Sequence, residues 1–171
     1  MSVTKGNFRA YAGMAEVVAG PHGSPLAISY YKTALRLAPD MAEWHVNLGV
    51  LQSRVGQTAD AAASFERALR LRSQDPETEN NLGTMLVRLE RPAEAIAHYE
   101  RALALRPDYA FARRNLGLAY AATGDQDAAA RELTEAIRLS PNEGQWHYEL
   151  AVTLLRDNRR SDGIAHLREA V

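Results

Sequence analysis

The dipeptides Leu48-Gly49, Leu82-Gly83 and Leu116-Gly117 recur every 34 residues, and Leu150-Ala151 continues the series. A period held without a slip means that one structural unit is used repeatedly, each copy burying itself against its neighbours rather than in one central core. Counted from residues 8, 42, 76, 110 and 144, the eighth place is always small: Ala15, Gly49, Gly83, Gly117 and Ala151. The twentieth is Ala27, Ala61, Ala95, Ala129 and Gly163, and the twenty-seventh Ala34, Ala68, Ala102, Ala136 and Ala170. Between them the twenty-fourth carries Tyr31, Phe65, Tyr99, Leu133 and Leu167, and leucine returns at the thirtieth in Leu37, Leu71, Leu105 and Leu139. Small residues flanking a large one at helical spacing describe a helix face that meets another helix at close range. Gly and Ala set the approach, and the large residues fill what remains.

The breaks carry start and stop signals. Pro39, Pro107 and Pro141 close three units, while Ser73 and Pro76 do so in the second. Asp40 with Glu43 has the form of a capping box, Ser24-Pro25 and Asp75-Pro76 of an N-cap followed by proline, and Asp108 and Asp125 of further N-caps. The spacing predicts helix pairs near 8–20/24–38, 42–55/58–72, 76–89/92–105, 110–123/126–139 and 144–157/160–171. In the first unit, Gly20-Pro21-His22-Gly23 is expected to end its first helix early. The expected organisation is a leader over 1–7 and units 8–41, 42–75, 76–109, 110–143 and 144–171, the last shortened.

Composition narrows function. With 20 basic against 21 acidic residues and a formal charge of -1, there is no broad basic footprint for nucleic acid or an anionic membrane. The absence of cysteine removes disulfides, zinc thiolates, iron–sulfur clusters and thiol nucleophiles. No apolar run approaches the ~20 residues that span a bilayer, and MSVTKGNFRAYAGM lacks a signal peptide's apolar stretch, so a cytoplasmic location without membrane insertion is expected. Lysine occurs only at Lys5 and Lys32. Arginine therefore supplies nearly all the positive charge, and it suits planar recognition of carboxylates and amides.

This register resembles the tetratricopeptide repeat, a helix–turn–helix unit of ~34 residues with Leu-Gly, Tyr, Ala, Phe/Tyr, Ala and Pro at set places. The resemblance covers residues 8–171. It departs at the fourth place, where Tyr11, His45, Glu79, Arg113 and His147 stand, with Trp44 and Trp146 one place earlier. It implies an all-α solenoid of five units forming a right-handed superhelix. The first helix of each unit would line a concave groove that holds a peptide or a helix.

At the sixth place Asn47, Asn81 and Asn115 form a ladder flanked by Gly13 and Glu149. Asparagine costs a helix roughly 0.6 kcal/mol against alanine, so helix propensity does not explain three in register. A carboxamide offers both donor and acceptor to a passing peptide group, whatever side chain that group carries. The arrangement resembles the asparagine ladder of O-linked N-acetylglucosamine transferases, and it implies backbone binding of an extended segment by these three residues. The alternative is a family habit serving hydrogen bonds between helices.

Arg54, Arg88 and Arg156 share the thirteenth place, with Ala122 interrupting, and Asn80 and Arg114 hold the fifth. Stacked arginines suit carboxylates or phosphorylated segments. Equally, arginine at the end of a helix complements its dipole as part of a solvated rim. Phe111 and Tyr148, with Val46, Val50 and Leu118, are apolar anchor candidates for the same groove. The Lys/Asn/Asn/Lys/Arg set of chaperone-tail binders is absent, since the second place reads Arg9, Glu43, Glu77, Phe111 and Gln145.

Nothing marks a catalytic centre. His22, His45, His98, His147 and His166 read as surface or inter-repeat residues rather than a close ligand pair, and Trp44 and Trp146 read as repeat packing. No phosphate loop, nucleophile elbow or H-E-x-x-H occurs. The expected function is a non-enzymatic scaffold that binds a protein or peptide partner, without metal or cofactor. Its alternatives are a substrate-recruiting module of a larger enzyme, such as a glycosyltransferase or methyltransferase, and a self-assembly element. Ile164, Leu167, Ala170 and Val171 lie on a helix with no successor, which implies either further chain or self-association through that helix.

Overall fold

In a computed structural model the described residues are 7–20 and 24–170. They form ten helices: α1 Phe8–Val18, α2 Pro25–Leu37, α3 Ala42–Arg54, α4 Thr58–Leu71, α5 Pro76–Arg88, α6 Pro92–Leu105, α7 Ala110–Thr123, α8 Gln126–Leu139, α9 Gly144–Arg156 and α10 Arg160–Glu169. The first ends at Val18, as its glycine-rich exit requires. Pro21, His22 and Gly23 of that exit, residues 1–6 of the leader and Val171 lie outside the described residues. Two compact units divide at Leu89 and Glu90, the first carrying α1 to α5 and the second α6 to α10.

Within each unit the repeat places become the core. Ala15, Ala27, Ala34 and Ala61 are fully enclosed in the first unit around Tyr31 and Phe65, as are Ala129, Ala136 and Ala151 around Leu133 in the second. The small eighth place is a steric requirement. A Cβ on Gly49 would lie 2.7 Å from Phe65 Cε1, and one on Gly117 would lie 2.8 Å from Leu133 Cγ and 3.1 Å from the Ala129 carbonyl oxygen. The last pair of helices inverts the arrangement, with Ala151 at the eighth place and Gly163 at the twentieth. A Cβ on Gly163 would meet Leu155 Cγ at 2.9 Å and the Ala151 carbonyl at 3.2 Å. In these three hairpins a single glycine brings the two backbones together, whereas the first hairpin has alanine at both places, Ala15 and Ala27.

Capping follows expectation at three helices. The Ala27 N–H donates to Ser24 Oγ at 3.4 Å, the Thr78 N–H to Asp75 Oδ1 at 3.2 Å, and the Ala128 N–H to Asp125 Oδ1 at 2.9 Å. It fails at two. Met41 and Tyr109 are the N-cap residues of α3 and α7, and neither makes a side-chain cap. After Pro39 and Pro107 the chain needs one more residue of turn before it can helix again, which puts Asp40 and Asp108 a place too early. Asp40 is used elsewhere, accepting from Arg67 Nη2 at 3.0 Å.

The turn after α3, α5, α7 and α9 has its own rule. Gly56, Glu90, Gly124 and Asn158 hold the same repeat place, and all are left-handed, with φ of 79°, 60°, 94° and 59°. Glycine meets this demand without strain, asparagine tolerates it, and glutamate meets it at a cost.

Candidate functional site

The three asparagines lie on separate helices, Asn47 on α3 and Asn81 on α5 in the first unit and Asn115 on α7 in the second, and their hydrogen bonding differs. Asn47 Nδ2 donates to the Tyr31 hydroxyl at 3.1 Å, while Asn47 Oδ1 has no hydrogen-bond partner among the described residues. Burial raises the Tyr31 pKa, the Asn47 bond lowers it in part, and Glu16 and Glu43 raise it further, so the phenol stays neutral. Asn81 stands one repeat on, and Phe65 holds the place that Tyr31 holds for Asn47. Phenylalanine has no hydroxyl, and the Asn81 carboxamide makes no hydrogen bond among the described residues. Asn115 Oδ1 accepts a long bond from Arg114 Nη1 at 3.5 Å.

Beside Asn47 lies a hollow of about 270 Å³, lined by Glu16, Tyr31, Val50, Leu51 and Arg54. Its chemistry is mixed: an acid, an arginine, a carboxamide oxygen and an apolar wall. Arg54 Nη1 donates to the Gly20 carbonyl at 3.4 Å and remains exposed. Arg88 and Arg156 are exposed and make no ion pair among the described residues.

Two of the expected polar lining residues are already engaged. Asn80 is buried, at 7% exposure, and belongs to helix packing rather than to an open lining. Arg114 is gripped by Glu149, with Arg114 Nε donating to Glu149 Oε2 at 2.7 Å and Arg114 Nη2 donating to Oε1. The Glu149 bond raises the Arg114 pKa against the opposing effect of burial, so the charge is held. Glu149 occupies the sixth place of the last repeat, the place held by Asn47, Asn81 and Asn115. The Arg114 guanidinium is thus paired with a carboxylate of the chain itself, supplied by α9.

Phe111 and Tyr148 stand out from the surface at 55% and 50% exposure. Phe111 meets Trp146 edge-on, with centroids 5.4 Å apart, and Phe8 meets Trp44 at 5.7 Å. Both tryptophans are buried, as repeat packing requires.

Residue-by-residue reading missed a relation between the fourth and twenty-third places, which face each other inside a hairpin. Tyr11 packs on Tyr30 with centroids 6.4 Å apart, Arg113 Nη1 donates to Glu132 Oε2 at 2.9 Å, and His147 Nδ1 lies 3.2 Å from His166 Nδ1. His147 and His166 thus stand opposite each other within one hairpin, a proximity that the spacing of the histidines did not indicate. The signal was present, since each pair matches in chemistry: two aromatics, two opposite charges, two imidazoles. Among the described residues no group of three or more histidines and carboxylates is arranged to hold a metal ion, and no helix is long and apolar enough to cross a membrane.

A family model of the tetratricopeptide repeat matches residues 23–76 and 124–171, and a second model of the same description matches 75–142. The chain belongs to the tetratricopeptide repeat family. Solved structures give the same fold. The crystal structure of MamA protein is 23% identical, with 98% of this chain and 91% of that one covered at a TM-score of 0.90. MamA 41-end from Desulfovibrio magneticus RS-1 is 21% identical over 96% of this chain and 93% of its own, at 0.89. YrrB, a TPR protein with an unusual peptide-binding site, is 24% identical over 98% and 92%, at 0.84. A comparison of the sequence with curated proteins finds no match. The tetratricopeptide fold here is an all-α solenoid.

Proposed function

We propose that this chain is a protein-interaction scaffold and that Asn47 and Asn81, with Arg54 and Arg88 beside them, hold an extended acidic segment by its backbone. The observation that carries the reading is the hydrogen-bonding state of the two carboxamides. Asn47 keeps its oxygen and Asn81 its whole amide without a partner among the described residues. Both lie in one compact unit, on α3 and α5, with the exposed Arg54 and Arg88 seven residues further along the same helices. Seven residues is two helical turns, so each arginine shares a face with its asparagine. YrrB, the structural neighbour with a peptide-binding site, supports a peptide as the ligand class.

In the second unit the contribution is different. Arg114 is satisfied by Glu149, leaving Arg156, Phe111 and Tyr148 as the groups offered there. Arginine at a rim gives on-rate and salt dependence more than raw affinity, whereas the carboxamides supply directional bonds. A selection from a random peptide library tests the reading. Acidic extended sequences should emerge, and their affinity for the wild type should fall with added salt, more steeply than for Arg54→Ala/Arg88→Ala. Selected peptides without acidic character, or equal salt slopes, would remove the acidic part of the proposal.

A further inference from the structure

A second hollow, of about 440 Å³, opens between α2, α3 and α4 on the other side of α3. His45, Leu48 and Gln52 line it, whereas Asn47, Val50 and Arg54 face the hollow described above. Gln52 is the unusual residue. Its repeat place is apolar or aromatic in every other unit, as Val18, Leu86, Tyr120 and Leu154, and it is only 2% exposed. Ser64 Oγ donates to Gln52 Oε1 at 2.7 Å, while the Gln52 amide nitrogen has no partner among the described residues. That nitrogen is not among the fully enclosed side-chain atoms left without a partner, so it opens onto the hollow and can donate to an acceptor seated there.

The surroundings fit an acceptor with negative charge. Arg36 is exposed and makes no ion pair among the described residues. Lys32 Nζ stands 3.7 Å from Asp60, both half-exposed, and Arg67 uses one nitrogen on Asp40 at 3.0 Å. His45 Nε2 lies 2.9 Å from the Pro39 carbonyl, which fixes Nε2 as the donor there and leaves Nδ1 to gain a proton. Asp60 is the one acid lining the hollow, and its carboxylate is half-exposed to solvent.

We propose that this hollow binds an oxyanion, held by the Gln52 amide together with the Lys32, Arg36 and Arg67 cations. Carboxylate and phosphate share that chemistry, since both present two or more acceptor oxygens to arginine's fork. The positive setting agrees with His45. Its pKa is lowered first by burial and then by Arg67 and Arg70, against the Pro39 bond and Asp40. An anion seated beside it reverses the effect of the arginines.

The test is an NMR titration of the folded chain with sodium phosphate and, separately, sodium glutarate, at ionic strength held constant with sodium chloride. The Gln52 side-chain NH₂ signals should shift saturably, and the His45 pKa should rise with occupancy. Saturation by phosphate alone assigns a phosphate ligand, and saturation by glutarate assigns a carboxylate. Arg36→Ala, an exposed change, should weaken binding roughly tenfold or more, as for a lost charge-assisted bond. Gln52→Leu, which installs the residue found at 86 and 154, should do likewise while keeping the fold. Shifts that never saturate with either anion, or unchanged affinity in both variants, would overturn the proposal.

Discussion

His147 and His166 face each other across the last hairpin with their Nδ1 atoms 3.2 Å apart, at the two repeat places where Arg113 meets Glu132. An arginine and a glutamate attract there, but two imidazoles do so only while at least one is neutral. His147 Nε2 lies 3.4 Å from the Pro141 carbonyl. The charged groups acting on His166 are Asp162 and Glu169 of its own helix, and it borders a hollow that also carries Asp127, Arg131 and Glu135 of α8.

The His166 pKa is lowered, first by burial and then by His147, with Asp162 and Glu169 opposing. His45 is lowered as well, with burial again the largest cause. A histidine with a depressed folded pKa binds fewer protons folded than unfolded, so its effect on stability rises with pH. Stability is therefore full above the unfolded value near 6.5 and declines as pH falls from there through the lowered folded values. The melting temperature should be lower at about pH 5 than at about pH 7.5. His166→Gln should flatten that difference, and a melting temperature that holds or rises on acidification would refute the assignment.

Gly117→Ala should destabilise the second unit. The added methyl meets Leu133 and, at 3.1 Å, a backbone carbonyl that has no rotamer to change. Overpacking costs about 1–3 kcal/mol, against a helix-propensity gain of about 1 kcal/mol at most. At Gly49 the three nearest atoms all belong to the Phe65 ring, a side chain that can tilt where a backbone carbonyl cannot, so Gly49→Ala should cost less. Chemical denaturation of both variants gives the order directly.

Glu90→Gly should stabilise the chain. Glu90 has a φ of 60° at the place where Gly56 and Gly124 satisfy the same left-handed turn. Relief of that conformation is worth about 1 kcal/mol, from the 1–2 kcal/mol that a Cβ costs there less glycine's added freedom when unfolded. An unchanged or lowered denaturation midpoint would contradict it.

Glu149→Gln should destabilise α7 against α9, because the Arg114 guanidinium loses a bidentate partner whose side chain is only 10% exposed. Breaking an enclosed pair costs about 3–5 kcal/mol, and the partial exposure of Arg114 brings the expectation here to about 1–3 kcal/mol. The freed arginine should also draw acidic peptides to the second unit. A binding assay on that variant shows whether Glu149 has been holding the place of a ligand carboxylate.

The helices were legible in the sequence because the small and large places recur with the period, and sterics at Gly49 and Gly117 explain why they must. Helix starts were legible where Ser24, Asp75 and Asp125 stand directly before the first turn. They were misread at Asp40 and Asp108, where proline adds a residue of turn that no propensity announces. The ladder's register was visible, but its chemistry was not. Whether a carboxamide is free depends on a residue sixteen places earlier, Tyr31 for Asn47 and Phe65 for Asn81. The engagement of Arg114 likewise depends on Glu149, thirty-five residues on. Such pairings follow from the repeat geometry once opposing places are known, and from neither residue alone.

The most direct measurement is the affinity of one library-selected acidic peptide for the wild type, Asn47→Ala and Asn81→Ala. Each lost carboxamide should weaken binding by about 1–1.5 kcal/mol, roughly five- to tenfold. Asn81→Ala should show the larger loss, because Asn47 already gives one hydrogen to Tyr31. Equal affinity for all three proteins would contradict a backbone-binding ladder and return these asparagines to helix packing.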